Sequence, residues 1–557
     1  MRRRALLRAH PSAWGGTPRD VERRPDGRRF QVAAQARDFA RRALPPTCVC
    51  VVGGTRADVA RVLPTVPWPA VRVVAVPDDA AAWAAARPAE DLVLLRAGAR
   101  PQRGWLGALA LAGHRASGTV VGPLLVRDGR ITSGGVGRGR AGALHRFAGM
   151  PEGTPPAQPL QAALGLDGAC LHLRAGARDA LPAGAPAPEL CAAAWRAGGR
   201  VLLAPAARCT AEPGPPVAPP EGERRVEEVV YVTQDTGIGG GHRVVFQHLN
   251  GLAERGHRCE LWTLDPAGPD WFDLHVPVRR FADYPSLARE LAGRDALKVG
   301  TWWETIPWVW EASVLRGVGA AFVQDLETSY YPEDLAAHGE VLAAYRPELR
   351  YVTTSAWVTE ALSQWVEHVD AVVPPGLDPW RLEPPGRPVA RRDDVVLALG
   401  RSNPLKDFPL TRAGFLALPE PRPELWLFGI EPQLGEGLGR YVERPSDDEV
   451  DELLRTATAL LQTSVHEGFC LPVLEAMAAG AAVVCTDAHG NRDFCRDGEN
   501  CLMPGRSPEA VAAALRRVLE DRALRERLVA AGRATAEAYA WPRLLDRLDA
   551  FVRQAAG

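Results

Sequence analysis

Short apolar runs alternate along this chain with longer amphipathic or alanine-rich stretches, and that alternation predicts strands joined by helices in α/β units. Residues 229–233 form one such run. Gly237-Ile238-Gly239-Gly240-Gly241 follows it, and residues 242–255 then show helical apolar spacing that stops before Gly256. The same sequence of strand, loop and helix is expected near the C-terminus, where the apolar run 458–463 precedes a loop and Pro472 begins a stretch of helix formers ending at Gly480. Further strands are expected over 482–485 and up to Gly400. Upstream, the runs 49–52, 71–76, 92–95 and 120–126 alternate with alanine-rich segments, so residues 46–212 also read as α/β. A proline-rich stretch, Pro213-Gly214-Pro215-Pro216-Val217-Ala218-Pro219-Pro220, marks a semi-extended linker over 213–224. Beyond it, Rossmann-like domains are expected over 225–380 and 381–540, joined by the hinge-like string Pro374-Pro375-Gly376-Leu377-Asp378-Pro379-Trp380. Residues 541–557 form a last helix, with apolar spacing at Leu544, Leu545, Leu548, Phe551 and Val552.

Local chemistry concentrates in two of these loops. Ser464-Val465-His466-Glu467-Gly468-Phe469-Cys470-Leu471-Pro472 runs from a strand into a helix, with Glu475 about one turn inside. Gly468 lets the loop backbone approach a ligand, and the helix start offers unpaired N–H groups and partial positive charge to a phosphate. Glu475 then suits a ribose diol, and Glu467 faces whatever hangs beyond the phosphates. The second loop follows Leu397-Ala398-Leu399-Gly400 and carries Arg401 and Lys406. Two cations after a strand suit a leaving pyrophosphate, the Arg as a planar fork and the Lys as a point charge.

Together these segments resemble the retaining glycosyltransferases of family 4, and the likeness extends back to about residue 225, roughly three fifths of the chain. The resemblance implies the GT-B architecture, two Rossmann-like domains facing a cleft, with the acceptor on the first and the donor on the second. It further implies that Arg401 and Lys406 neutralise the diphosphate of a nucleotide sugar, that Glu467 contacts the sugar and that Glu475 holds the ribose. Gly468, Phe469, Cys470 and Leu471 would border the donor, and so would Gly490 in Thr486-Asp487-Ala488-His489-Gly490-Asn491. Gly239, Gly240 and Gly241 would form a loop on the acceptor side. Gly240-Gly241-His242-Arg243 and Phe322-Val323-Gln324-Asp325-Leu326-Glu327 look like a bacterial branch that contains polysaccharide rhamnosyltransferases. Two departures stand out: Cys470 occupies a position where many relatives have Gly, and Trp302-Trp303-Glu304 stands where many carry a His, so no catalytic His is assigned. The reaction implied is metal-independent, cofactor-free transfer with retention of anomeric configuration. A nucleotide-sugar epimerase on the same scaffold, or a non-enzymatic scaffold, are the other readings.

Residues 46–212 faintly resemble glycosyltransferase family 2, of the GT-A fold, through Asp91-Leu92-Val93-Leu94-Leu95, Gly104-Trp105-Leu106, Val121-Gly122-Pro123-Leu124 and Asp128-Gly129-Arg130-Ile131. The acids that chemistry needs are missing. Arg96-Ala97-Gly98-Ala99-Arg100 offers no side-chain oxygen to a metal, and Pro186-Ala187-Pro188-Glu189 retains a single carboxylate. A catalytically silent GT-A-like domain is therefore expected, used for scaffolding, acceptor contact or docking of other glycan-assembly proteins.

With 66 Lys and Arg against 67 Asp and Glu, the net charge of -1 gives no basic field for nucleic acid. Residues 1–45 form a basic extension, but Ala5-Leu6-Leu7 is too short for a signal peptide's apolar core, and no run approaches the roughly 18 apolar residues of a membrane span. A cytoplasmic protein is expected, touching the membrane only through its acceptor. The ten cysteines show no paired CxxC spacing, which argues against a zinc ribbon and for buried free thiols.

Overall fold

The computed structural model describes residues 44–66, 70–219, 221–384 and 389–556. All but the last two residues of the basic extension lie outside them.

Three large sheets follow one another along the described residues, and Val136–Gly139 with Gly142–His145 makes a small two-stranded one beside the first. The first is mixed and nine-stranded. Thr47–Val52 pairs in parallel with the edge strand Val71–Val76 and with Asp91–Arg96, while the central strand Cys170–Leu173 runs antiparallel between Asp91–Arg96 and Gly118–Arg127. Its inner strands Thr47–Val52, Asp91–Arg96 and Gly118–Arg127 are buried along nearly their whole length, which is why they read as continuous apolar runs.

The second and third sheets share one plan. In the seven-stranded second sheet the chain enters at Glu228–Thr233, steps outward through Cys259–Thr263 and Val278–Arg280, then returns to the other side of its starting strand as Ala296–Gly300. In the five-stranded third sheet it enters at Arg392–Gly400, steps out through Glu424–Gly429 and Arg440–Glu443, and returns as Ala457–Gln462, next to Ala482–Cys485. All pairs in both sheets are parallel. Each sheet therefore has a point where strand order reverses, and the loops leaving the two strands at that point diverge to open a crevice. Helix α1, Gly240–Glu254, follows the first strand of the second sheet, and α2, Leu471–Ala479, follows the Ala457–Gln462 strand of the third.

The last helix, α3, Trp541–Ala556, leaves the third sheet and packs on the second. Leu544, Leu545, Leu548, Phe551 and Val552 join Val229, Tyr231 and Phe246 in one buried cluster. Burying each such side chain contributes about 1.5–3 kcal/mol. Gly251 of α1 permits the approach, since a Cβ there would stand 2.3 Å from Leu545 Cδ1. The two chain crossings are pinned to each other, because Leu377 N–H donates to Tyr539 O at 2.8 Å and Trp541 N–H donates to Leu377 O at 3.0 Å. The first sheet's unit rests on the second through the Arg200–Glu311 fork (2.6 and 2.8 Å), the Arg346 guanidinium on Ala162 O (2.7 Å) and the edge of Trp195 against Trp310.

Candidate active site

The four loops at the two reversal points carry most of the predicted chemistry. In the third sheet, Arg401 leaves the Arg392–Gly400 strand and a single turn, Pro404–Lys406, delivers Lys406; Asn403 caps that turn by accepting from Leu405 N–H at 2.9 Å. The loop after Ala457–Gln462 brings Glu467 against Lys406, whose ammonium donates to both carboxylate oxygens at 2.6 and 2.7 Å. Ser464 Oγ donates to the same carboxylate at 2.7 Å, fixing its orientation. Burial works against the Lys406 charge, but Glu467 outweighs it and holds the Lys406 pKa above its ordinary value. Arg401 stands 3.9 Å from Glu431, a carboxylate already bonded to the Ser402 backbone and hydroxyl, so its guanidinium is only loosely held.

Glu475 lies just inside α2, with Arg381 at 3.8 Å. Burial raises its carboxyl above the usual range, against the opposing pull of Arg381 and Arg243. Both cations belong to a wider cluster, since Arg243 of α1 forks onto Asp447 at 2.5 and 2.6 Å across the cleft.

Three of the predicted donor-side residues pack into the protein. The Phe469 side chain does not face the cleft; it is buried against Phe494 and Tyr539. Cys470 likewise turns into the core, and its backbone has φ 83°, the left-handed region that favours glycine. Burial pushes its thiol well up. Leu471 opens α2 one residue before Pro472 and packs at the core's margin. Gly468 is required by protein and not by open space, because a Cβ there would stand 2.1 Å from Gln324 O of the second sheet. Gly490 meets Gly468 in the same way, at 2.3 Å. On the acceptor side, Gly241 fits closely under Gln324, whereas nothing crowds Gly240 and only His242 comes within 4 Å of Gly239.

The sequence reading missed a clasp between the two sheets. His466 is buried, with Nε2 at 2.8 and 2.9 Å from the Asp325 carboxylate and Nδ1 at 2.9 Å from His489 Nδ1; Trp357 stacks on His489. Burial alone would lower the His466 pKa, but Asp325 more than offsets it and the pKa lies above its ordinary value. Asp325 and His466 both sat in strings noted for the motif, but 141 residues separate them and no periodicity links them. Beside this clasp a cavity of about 300 Å³ opens at the second sheet's reversal point, lined by Asp235, Gly239, Gly241, Trp302, Gln324 and Asp325 among others. Trp303 and Trp310, by contrast, are core residues.

Comparison with known proteins bears on this arrangement. Residues 439–535 match the family described as glycosyl transferases group 1, a span that contains Glu467, Gly468, Glu475 and Gly490. The chain is 36% identical over 229 residues to a D-inositol 3-phosphate glycosyltransferase of Geodermatophilus obscurus, covering 35% of this chain and 50% of that protein. It is 48% identical over 80 residues to a phosphatidyl-myo-inositol mannosyltransferase of Mycobacterium tuberculosis, covering 14% and 21%. The chain thus spans at most about half the length of these curated relatives. Among solved structures, Anabaena HepE in complex with UDP and glucose superposes with a TM-score of 0.51 at 14% identity, covering 59% of this chain and all of that one. Sucrose-phosphate synthase from Thermosynechococcus elongatus gives 0.50 at 19% identity, covering 59% and 98%. The fold is therefore GT-B, two Rossmann-like units across a cleft, with the mixed nine-stranded sheet as an addition before it.

Proposed function

We propose that the chain transfers a sugar from a nucleoside-diphosphate sugar to a glycan, lipid-linked or protein acceptor, with retention at the anomeric carbon and without a metal, in the building of a cell-envelope or extracellular polysaccharide. The observation that carries this reading is the Lys406–Glu467 pair at the mouth of α2, with Arg401 on the same loop and Glu475 one turn below. Charge growing on a departing diphosphate would meet Lys406, Arg401 and the first N–H groups of α2, which is electrostatic stabilisation by donors aimed in advance. Arrival of the sugar phosphate would divide Lys406 between Glu467 and the phosphate, freeing one carboxylate oxygen for a sugar hydroxyl. The names of the two curated relatives, and the UDP and glucose bound by HepE, support a nucleotide-sugar donor.

The nine-stranded unit is read as a silent scaffold on the same grounds as its strand-end loop, which offers arginines and no free acid. Calorimetric titration with UDP, GDP, dTDP and their sugars in EDTA, on wild type and Glu475→Ala, tests the donor site. One nucleotide should bind in the micromolar range despite EDTA and weaken at least about tenfold in the variant. No binding by any of them would leave a non-enzymatic scaffold as the better reading.

A further inference from the structure

Ten cysteines scattered along the chain gave no ligand spacing, yet the fold gathers three of them. Cys485 ends the last strand of the third sheet, Cys495 follows the turn Gly490–Asp493, and Cys501 returns from an exposed turn at 496–499. All three are buried, and their sulfurs lie within 4.8 Å of one another, with Cys485 and Cys495 at 3.8 Å. In a site with metal–sulfur bonds of about 2.3 Å, neighbouring sulfurs stand about 3.8 to 4.0 Å apart.

We propose that Cys485, Cys495 and Cys501 form a three-sulfur site for a soft thiophilic cation, Cu(I) being the ion that fits it best. Asn491 argues for three ligands and not four. Its amide nitrogen points at Cys485 Sγ (3.7 Å) and also donates to Thr486 O at 2.9 Å, while its oxygen accepts from Ala488 N–H at 3.0 Å. That bonding fixes the amide with its N–H toward the sulfur, a donor to a thiolate and not a ligand to a metal. A Zn(II) site would need a fourth ligand, whereas Cu(I) takes thiolates alone. Binding releases the thiol protons to solvent. The turn at 496–499 is exposed and lies between two of the ligands, so its local opening gives a path inward.

The site would staple residues 485–501, the segment that also carries His489 against His466 and Gly490 against Gly468. It would therefore stiffen one wall of the cleft without entering the reaction.

Anaerobic titration of the reduced full chain with Cu(I) in the presence of bicinchoninate, whose coloured complex reports metal the protein does not hold, tests this. Wild type should withhold one equivalent more than Cys485→Ala/Cys501→Ala. Cys48→Ala/Cys50→Ala, which removes the other close thiol pair (3.6 Å), should keep that equivalent. Equal uptake by wild type and the first double variant overturns the proposal, and so does loss of the equivalent in the second. If the first variant fails to fold, X-ray absorption of singly loaded Cys48→Ala/Cys50→Ala decides: three sulfur neighbours support the site, while two, or any nitrogen or oxygen, overturn it.

Discussion

The first and third sheets both carry charged side chains at the C-terminal ends of parallel strands, and they use that charge in opposite ways. At the first sheet a space of about 480 Å³ is lined by Arg96, Gly98, Asp167, Glu212 and neighbouring small residues. Every charge in it already has a task. Arg96 pairs with Asp79 at 2.6 Å, Asp167 accepts from the backbone of Ala169 and Gly214, and Glu212 meets Arg127. At the third sheet Lys406 and Glu467 hold each other, with the neutral side chains of Ser464 and Gln462 beside the carboxylate, and Arg401 is 3.9 Å from Glu431. A ligand phosphate can compete for such groups, while it would have to break turns to recruit the first sheet's acids. The prior commitments of the charges therefore say more about chemistry here than the space they line.

The sharpest way to break that contrast is to remove charge on each side. Lys406→Ala should lower the rate of sugar transfer about a hundred- to a thousandfold, some 2.7–4 kcal/mol of transition-state stabilisation. Asp167→Asn, with its amide still able to cap one of the two backbone groups, should leave transfer within about twofold. Steady-state assays with the donor identified by calorimetry compare the two, and a metal-dependent rate lost in Asp167→Asn would make the first sheet a second active site.

The clasp across the cleft sets the next largest effect. Asp325→Asn leaves His466 without its counter-charge and should cost about 2 kcal/mol of stability at slightly acid pH. The raised His466 pKa means that this contribution is complete below the imidazole's ordinary value of about 6.5 and disappears as pH rises through the higher folded value. Thermal midpoints of wild type and variant should accordingly differ most below about pH 6.5 and converge as the pH rises above it; a constant gap would mean that the pair is neutral throughout.

Glu475 separates stability from binding. Its carboxylate is disfavoured by burial and only distantly paired with Arg381, so Glu475→Gln should stabilise the free protein by about 1 kcal/mol while weakening nucleotide binding about tenfold. Unfolding and calorimetry on one preparation read both. If stability falls together with affinity, the carboxylate supports the fold and its assignment to a ribose loses force.

These contrasts also show what could be read from the chain itself. The parallel strands announced themselves because burial on both faces leaves uninterrupted apolar runs, and Pro472 with Gly480 bracketed α2 within a residue or two. The nearness of Arg401, Lys406, Glu467 and Glu475 came from a family likeness; nothing in periodicity brings residue 406 to residue 467. Asp325 with His466, Arg243 with Asp447 and the three gathered cysteines depend on how two sheets close and how one turn returns, which no local pattern encodes. The inward turn of the Phe469 side chain was not legible, because a motif fixes which residues adjoin one another along the backbone and not which way each side chain turns.

Cys470 offers the finest test, because there the side chain and the backbone pull apart. The left-handed φ of 83° costs a non-glycine residue about 1–2 kcal/mol, while the buried thiol returns about 1 kcal/mol of packing and spares the chain the extra entropy glycine would lose. Cys470→Gly should therefore change stability by less than about 1 kcal/mol and leave donor affinity unaltered, since the thiol is buried in the core. Cys470→Val should lose about 2 kcal/mol or more, because a β-branched residue tolerates that backbone least. A large gain in affinity for Cys470→Gly would mean that the thiol does reach the donor, and that the third sheet's open charges are screened by more than Glu467.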